Sequence, residues 1–246
     1  MILNFLFISA YFQQPFVEKS VLYLEELLEV NVDHHNLETR RRLIWIGKNK
    51  VRTDREDDGT TMIYDLNLHT FYLLDHQKKV FYRTLSGREP KLARPPLLGL
   101  ASLRNNLLSR TKKLVFATGS EKQISGWPCK EFQLNYPAQY GIHTRVWVAP
   151  KSPAIVKDDF KRLWFAAIGT NPPIDVKFII NSMLKEIDGI PIRIESIAIQ
   201  EEATITTRST ILTIERRNDI DSQHFAVPPN YRLGDPNLID QPSNMP

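Results

Sequence analysis

Close pairs of histidine and carboxylate side chains are the features of this sequence that could perform acid–base or metal chemistry. His34 and His35 follow Asp33, but adjacent residues of a strand point to opposite faces of a sheet, which favours a solvated turn over a metal site. Asp75 and His76 fall where a hairpin is predicted. Because no nucleophile adjoins them in a recognisable motif, a turn is favoured over a catalytic dyad. The sequence therefore predicts no metal site and no catalytic residue.

Motifs of fixed spacing that mark common enzyme classes are absent from the sequence. It contains no Walker-type phosphate loop, no G-x-G-x-x-G, no G-x-S-x-G and no H-E-x-x-H. Carboxylate pairs such as Asp57-Asp58 and Glu201-Glu202 have structural explanations as turns. The chain is interpreted as non-enzymatic and no cofactor is predicted. A hydrolase with a site assembled from distant residues is the less favoured alternative, and a hydrogen bond from His76 or His143 to a carboxylate within a cleft would support it.

The composition is that of a soluble globular protein. Of the 246 residues, 42% are hydrophobic and 24% are charged, and 32 basic side chains against 28 acidic ones leave a net charge of +4. So small an excess does not predict a nucleic-acid partner. The single cysteine, Cys129, excludes an intrachain disulfide framework and every multi-cysteine zinc pattern, and it is predicted to be a small buried hydrophobe.

The densest basic segment runs from Arg40 to Arg55 and includes Trp45. Basic side chains interleaved with an aromatic ring could follow a chain of phosphates. The acidic residue Asp54 lies within this segment, and Glu56, Asp57 and Asp58 directly follow it. Their negative charges would oppose the positive field of the basic side chains. The segment is therefore predicted to form a solvated sheet face.

The amino-terminal stretch from Ile2 to Phe12 is apolar except for Asn4 and Ser9. It is shorter than the ~20 residues that a membrane-spanning helix needs, so no transmembrane segment is predicted. Its length suits the hydrophobic region of a secretory signal, although no basic residue precedes it, and a buried first strand is the alternative. Residues 1–16 are therefore interpreted as a signal-like or first-strand segment. The predicted location is the periplasm or cell envelope, with the cytoplasm as the alternative.

Short strands separated by polar turns are predicted from Phe16 to Leu85. Alternation with a period of two is visible in residues 50–55 and 61–66. The run 43–46 is apolar at every position, which is typical of a central strand covered on both faces. This region is predicted to be an antiparallel meander.

Strands return after a helix that is predicted to follow Pro95. Further strands are predicted at residues 113–117, 123–126, 130–135, 142–149, 190–200 and 203–216. Two helices are predicted between the strand at 142–149 and the two long strands at 190–200 and 203–216. The first has an apolar stripe from Phe160 to Ala167. The second, over 174–187, is apolar on almost every side and ends at Gly189. No repeat of fixed period and no clear linker divides the chain. We predict one α+β domain over residues 17–233 and a flexible tail over 234–246.

A series of short motifs, taken in order, resembles the LolA-like group of bacterial envelope proteins, in particular domains related to outer-membrane lipoprotein-sorting proteins. The motifs are Trp45-x-Gly47-Lys48-x-Lys50-x-Arg52-x-Asp54, Asp65-Leu66, Leu74-Asp75, Lys79-x-x-Tyr82, Ile124-x-Gly126-x-x-Cys129-x-x-Phe132, Trp147-Val148-Ala149, Gly189-Ile190-Pro191 and Phe225-x-Val227-Pro228-x-x-Tyr231. The resemblance implies a strongly curved antiparallel sheet, an incomplete barrel, whose concave face is covered by helices. It also implies a cavity that shields acyl chains.

We therefore expect a non-enzymatic envelope protein that binds an apolar ligand, such as an acyl chain or lipid moiety, between sheet and helices. An almost wholly apolar helix beside an aromatic-rich sheet can build such a cavity, although the same pattern also builds an ordinary core. The predicted lining residues are Trp147, Phe160, Trp164, Phe178, Met183 and Leu184. The alternative is a structural or protein-interaction domain with a filled cavity, which an exposed apolar patch elsewhere on the protein would favour.

Overall fold

Strands make up most of the structure, a computed structural model that describes residues 17–18, 20–85, 114–135, 142–150, 162, 181–183, 185–200 and 203–235. The first seven strands are β1 (Val17–Glu18), β2 (Val21–Val32), β3 (His35–Ile46), β4 (Lys50–Arg55), β5 (Thr60–Asp65), β6 (Thr70–Asp75) and β7 (Val80–Leu85). The others are β8 (Val115–Ile124), β9 (Trp127–Leu134), β10 (Ile142–Ala149), β11 (Ile190–Gln200), β12 (Ala203–Arg217), β13 (Ile220–Asp221) and β14 (Arg232–Leu233).

Twelve of these strands form one sheet in the order β14-β7-β6-β5-β4-β3-β2-β12-β11-β10-β9-β8. All neighbours are antiparallel except β14, which runs parallel to β7. Within the described residues β8 and β14 are the two ends of this order, so the sheet is open. The prediction of a large antiparallel sheet, including the meander from β2 to β7, is confirmed.

Helices occupy little of the described chain. Arg162, residues 181–183 and residues 185–186 are helical, and Ser222–Phe225 form a single 3-10 turn. The helix predicted after Pro95 and most of the two predicted between residues 158 and 187 lie outside the described residues. The helical cover of the sheet therefore stays a prediction.

Strands β4 to β7 repeat with a period that the sequence analysis did not identify. Each is six residues long, and they begin ten residues apart, at Lys50, Thr60, Thr70 and Val80. The last residue of each connecting turn has a left-handed backbone, with φ of 61° at Gly59, 48° at His69 and 51° at Lys79. Only the first is glycine, the residue that adopts this conformation without strain. The repeat is therefore one of backbone geometry, and the residues at equivalent turn positions differ from one repeat to the next.

Strand β8 corrects the predicted boundaries. Residues 113–117 and 123–126 were predicted as two strands, whereas Val115–Ile124 form one strand. The pairing of β8 with β9 shifts register between Ala117 and Glu121, and Gly119 in this interval has a φ of 84°. A bulge of this kind inserts residues without ending the strand. It interrupts the alternation of apolar and polar residues, so the sequence pattern predicted two strands where the structure has one.

The apolar cluster lies mainly on one face of the sheet. It consists of Leu22, Leu24, Ile44, Ile46, Val51, Leu114, Val115, Ile124, Cys129, Leu134, Ile142, Val146, Trp147, Val148, Ala149, Met183, Ile187, Ile190, Ile192, Ile194, Ala198 and Ile211. Burial of one such aliphatic side chain contributes about 1.5–3 kcal/mol. Since Met183 and Ile187 belong to the same cluster, the helical residues 181–183 and 185–186 are anchored to the sheet through these side chains.

The carboxyl-terminal segment crosses the other face of the sheet, and we call residues 220–235 the strap. It begins with β13 paired to β1 and ends with β14 beside β7. Gly234 donates its N–H to the carbonyl of Phe81 at 2.8 Å, and a Cβ there would lie 2.5 Å from the Tyr82 ring. The predicted tail, residues 234–246, begins at this glycine, and residues 236–246 lie outside the described part.

Candidate functional site

A pocket of about 460 Å³ lies beside the β8–β9 hairpin and the end of β10. Its volume falls in the range of small-molecule sites, about 300–1,000 Å³. Its lining residues are Glu121, Lys122, Gln123, Pro128, Cys129, Lys130, Phe132, Val148, Ala149, Pro150 and Asp188. The wall is mostly apolar, and the charged side chains come from β8, β9 and residue 188.

Irregular backbone shapes the chain around this pocket. The β8–β9 turn has left-handed residues at Ser125 and Gly126, with φ of 50° and 82°. The pairing of β10 with β11 shifts register between Trp147 and Val148. Gly189 approaches Ala149 so closely that a Cβ would overlap the carbonyl oxygen of Ala149. A residue with a side chain at 189 would therefore displace the strand end that lines the pocket.

Two lysines line the pocket, and they differ in their partners. Lys130 pairs with Glu121, with Nζ and Oε1 3.6 Å apart. The Lys122 ammonium lies 4.7 Å from the ring centroid of Trp147, a cation–π geometry, and within the described part of the chain it has no carboxylate partner. Lys122 therefore lines this wall without a carboxylate partner among the described residues.

Cys129 is buried, as predicted, with 2% of its surface exposed. Its Sγ donates to the carbonyl of Trp127 at 3.4 Å. Burial raises the pKa of the thiol, although the charges of Arg193 and Lys122 oppose this change. A thiol with a raised pKa is a weak nucleophile at neutral pH, so Cys129 contributes apolar surface to the pocket wall.

Two of the six predicted lining residues lie in the described chain. Trp147 and Met183 are both buried in the apolar cluster, with 7% and 3% exposed, and neither is among the pocket's lining residues. Phe160, Trp164, Phe178 and Leu184 lie outside the described residues, so their role stays a prediction.

Sequence reasoning missed the residues that line this pocket, among them Pro128, Phe132 and Val148. Phe132 and Val148 belong to motifs that carried the family resemblance, Ile124-x-Gly126-x-x-Cys129-x-x-Phe132 and Trp147-Val148-Ala149. The order of these motifs indicated the family resemblance. It gave no information about which side chains face a cavity.

A second cluster lies under the strap and is polar. The carboxylate of Asp54 accepts hydrogen bonds from Arg52 Nε at 2.8 Å, from Thr61 Oγ1 at 2.6 Å and from Trp45 Nε1 at 3.2 Å. Register explains the convergence, because Trp45 pairs with Arg52 and Asp54 pairs with Thr61 on neighbouring strands. The alternating residues of the Trp45-to-Asp54 motif therefore share one face of the sheet.

The same motif holds the strap. Arg52 Nη1 donates to the carbonyl of His224 at 2.6 Å, and Lys50 Nζ donates to the carbonyl of Phe225 at 3.2 Å. The ring of His224 packs against Trp45 with centroids 4.4 Å apart. The basic side chains of β4 on this face therefore bind the protein's own backbone.

His76 is part of a hydrogen-bonded chain and contacts no carboxylate directly. Its Nε2 lies 2.7 Å from Thr61 Oγ1, and its Nδ1 lies 2.6 Å from the hydroxyl of Tyr231. Because Thr61 donates to Asp54, its oxygen accepts from Nε2–H, and Tyr231 then donates to Nδ1. These hydrogen bonds fix Tyr231 of the strap to the sheet. The other candidate histidine, His143, is exposed on β10. The turn predicted at Asp75-His76 is confirmed, since residues 76–79 form the β6–β7 turn.

The prediction of a wholly solvated basic face is wrong for two arginines. Arg42 and Arg55 are each 5% exposed and are paired directly across β3 and β4. Arg42 Nη2 lies 2.5 Å from Glu26 Oε2, and the other oxygen of Glu26 accepts from Ser209. Arg55 pairs with Asp58. The alternation of the strand turns these two side chains to the face of the apolar cluster, where only paired charges are tolerated.

The pKa of His224 predicts how the strap responds to pH. Burial lowers this pKa, and the nearby charge of Arg52 lowers it further, whereas Asp54 opposes the change. The neutral ring is therefore favoured in the folded state, so stability is full above the unfolded pKa of about 6.5 and is lost as the pH falls below it. We expect the free energy of unfolding to fall less between pH 7.5 and 5 in His224→Phe than in the unchanged protein, as measured by urea denaturation.

Exposed His143 provides the control for this measurement. The variant His143→Gln should keep the full loss of stability on acidification. Equal losses in the unchanged protein and in His224→Phe would contradict the prediction.

Within the described residues no three His, Cys, Asp or Glu side chains lie close enough together to hold a metal ion. In the same residues no helix has the length and apolar character needed to cross a membrane.

The fold defined by these residues is a large open antiparallel sheet with a pocket at one end. No protein-family model and no curated protein sequence matches the chain. Among solved structures it is similar to an uncharacterised conserved protein from Thermus thermophilus, at 5% identity and a TM-score of 0.44 over 88% of this chain and 90% of that one.

Two further solved structures are similar in the same way. A chain of the MucA/MucB complex of Pseudomonas aeruginosa matches at 9% identity and a TM-score of 0.44, over 87% of this chain and 58% of that one. A LolA superfamily protein from Nitrosomonas europaea matches at 8% identity and a TM-score of 0.34, over 86% of this chain and 92% of that one. The sequence identities are low in all three.

Proposed function

We propose that the protein is a non-enzymatic binding protein that holds an apolar ligand, such as the alkyl chain of a lipid, in the pocket beside the β8–β9 hairpin. The observation that carries the proposal is a pocket of about 460 Å³ whose wall is built from Pro128, Phe132, Val148, Ala149 and Pro150 together with the flanking charged residues. The periplasm or cell envelope is the proposed location, and it rests on the amino-terminal pattern and the motif resemblance alone.

The binding energy of such a ligand would come from burial of alkyl groups. Burial is worth about 0.8 kcal/mol per methylene, so about eight methylenes would contribute roughly 6 kcal/mol, from which the cost of association is subtracted. Lys130 is already paired with Glu121, so these two charges offset each other at the wall. Binding of an alkyl chain by the apolar part of the wall requires no catalytic group.

A protein-interaction role is the alternative, and we favour the pocket over it. The large apolar side chains exposed in the described part of the chain lie on five separate elements. They are Leu68, Phe116, Ile199, Leu212 and Leu233. A docking patch would place several such side chains next to one another.

Displacement of a fluorescent naphthylamine probe by dodecanol tests the proposal. We expect saturable displacement with the unchanged protein. We expect Phe132→Ala to weaken dodecanol binding about tenfold, since loss of one aromatic contact surface is worth about 1.4 kcal/mol.

Phe116→Ala is the matched control, because Phe116 is a partly exposed aromatic residue of β8 that does not line the pocket. It should bind dodecanol like the unchanged protein, with folding of both variants checked by circular dichroism. Absence of saturable displacement, or equal weakening in both variants, would overturn the proposal.

A further inference from the structure

We propose that the ligand is an amphiphile with one alkyl chain and an anionic head, and that Lys122 binds this head. This inference rests on the proposed function, because it adds a head group to the alkyl chain already placed in the pocket. It goes further by naming the chemical class of the ligand and the residue that selects it.

Charged side chains of both signs line the pocket wall. Glu121 and Lys130 compensate each other at 3.6 Å. Lys122 lines the same pocket, and its ammonium has no carboxylate partner in the described part of the chain. An anion entering the pocket beside Lys122 would therefore meet an ammonium group that no carboxylate of the described residues already pairs with.

An aromatic ring lies beneath the Lys122 charge. The Lys122 ammonium is held 4.7 Å from the ring centroid of Trp147, a residue only 7% exposed. Contact with the ring restricts where the flexible lysine places its charge, and the aromatic face partly replaces water around the ammonium. Lys122 pairs across the hairpin with Cys129, which is buried in the wall. The charge therefore lies beside the Cys129 part of the pocket wall, so that a charged head and an apolar chain could be bound next to each other.

The other charged groups of the wall are poorer partners for an anionic head. Lys130 is already paired with Glu121. Glu121 would repel an anion, and its charge is offset by Lys130. Asp188 also lines the pocket and would repel an anionic head, so a carboxylate or phosphate head finds its partner in Lys122.

The test compares ligands that share a dodecyl chain and differ in the head group. Dodecanoate, dodecyl phosphate, dodecanol and dodecyltrimethylammonium are each titrated against the bound fluorescent probe, below the concentration at which the ligand forms micelles or separates from solution. We expect both anionic ligands to bind about fivefold more tightly than dodecanol, and the cationic ligand to bind more weakly, as is typical of one partly exposed ion pair. The advantage of the anions should shrink as sodium chloride is raised.

Two matched lysine variants assign the effect to one side chain. Lys122→Gln should reduce the affinity for dodecanoate about fivefold and leave the affinity for dodecanol unchanged. Lys130→Gln should leave both affinities unchanged, because its charge is already compensated by Glu121.

The outcomes separate this inference from the proposed function. Dodecanol binding as tightly as dodecanoate, or equal loss in the two lysine variants, overturns the inference and leaves the apolar pocket. Displacement by inorganic phosphate alone also overturns it, because the site would then recognise a free anion without a chain. If no dodecyl ligand binds, the proposed function fails together with the inference.

Discussion

Replacing Glu26 with leucine should lower the free energy of unfolding by about 3–5 kcal/mol, the cost of leaving one charge of a buried pair without its partner. The Glu26 and Arg42 side chains are only 5% and 7% exposed. Glu26 also accepts the hydroxyl of Ser209. In the variant Glu26→Leu the guanidinium of Arg42 would stay buried beside the apolar cluster with no carboxylate opposite it. Urea denaturation measures the loss.

A second substitution distinguishes the charge from the packing. The double variant Glu26→Leu/Arg42→Met removes both charges, and we expect it to regain most of the lost stability, because apolar residues of similar volume replace buried ion pairs at little cost. A double variant as unstable as Glu26→Leu alone would contradict the argument.

The neighbouring ion pair is the control. Glu25 and Arg41 lie one residue away on the same strands, with Oε1 and Nη2 2.7 Å apart, but the Arg41 side chain is 53% exposed. Solvent screens a pair of this kind, so Glu25→Leu should cost less than about 1 kcal/mol. Equal losses for Glu25→Leu and Glu26→Leu would show that burial does not set the cost.

These two pairs show what the sequence could predict and what it could not. Turn residues and alternation were enough to predict the meander, because a strand's period and its end are local properties. Arg41 and Arg42 are adjacent and chemically alike, and only the register that sets Arg42 opposite Glu26 turns one of them to the buried face. Register depends on pairing partners, and a one-residue shift would exchange the two arginines.

The strap illustrates a limit of another kind. Arg52 and His224 are 172 residues apart in the chain, yet the guanidinium of one binds the carbonyl of the other. Single-residue patterns carry no distance information of this length, although both segments belonged to motifs that were identified in order. The pocket escaped prediction for the same reason, since its wall joins the β8–β9 hairpin to Val148 and Asp188 through a register shift and a close backbone contact.

That close contact sets the second large expected effect. Gly189→Ala should lower the free energy of unfolding by about 3 kcal/mol, the upper part of the range for forced overpacking. The added Cβ would overlap the carbonyl oxygen of Ala149 and lie 2.5 Å from Val148 Cγ1. A backbone oxygen cannot rotate away as a side-chain tip can, so the end of β10 or residue 189 must move. Urea denaturation gives the stability.

The same displacement should weaken ligand binding in the molecules that remain folded. Val148, Ala149 and Asp188 all line the pocket, and all three lie next to the site of the steric clash. The affinity for dodecanol should therefore fall in Gly189→Ala, measured at low temperature and without urea, where the variant is folded. Gly119→Ala is the matched control: its φ of 84° makes alanine strained, but no atom lies within 4 Å of the added Cβ. It should cost about 1–2 kcal/mol and leave dodecanol affinity unchanged. Equal dodecanol affinity in the two glycine variants would mean that the contact between residues 149 and 189 does not shape the pocket.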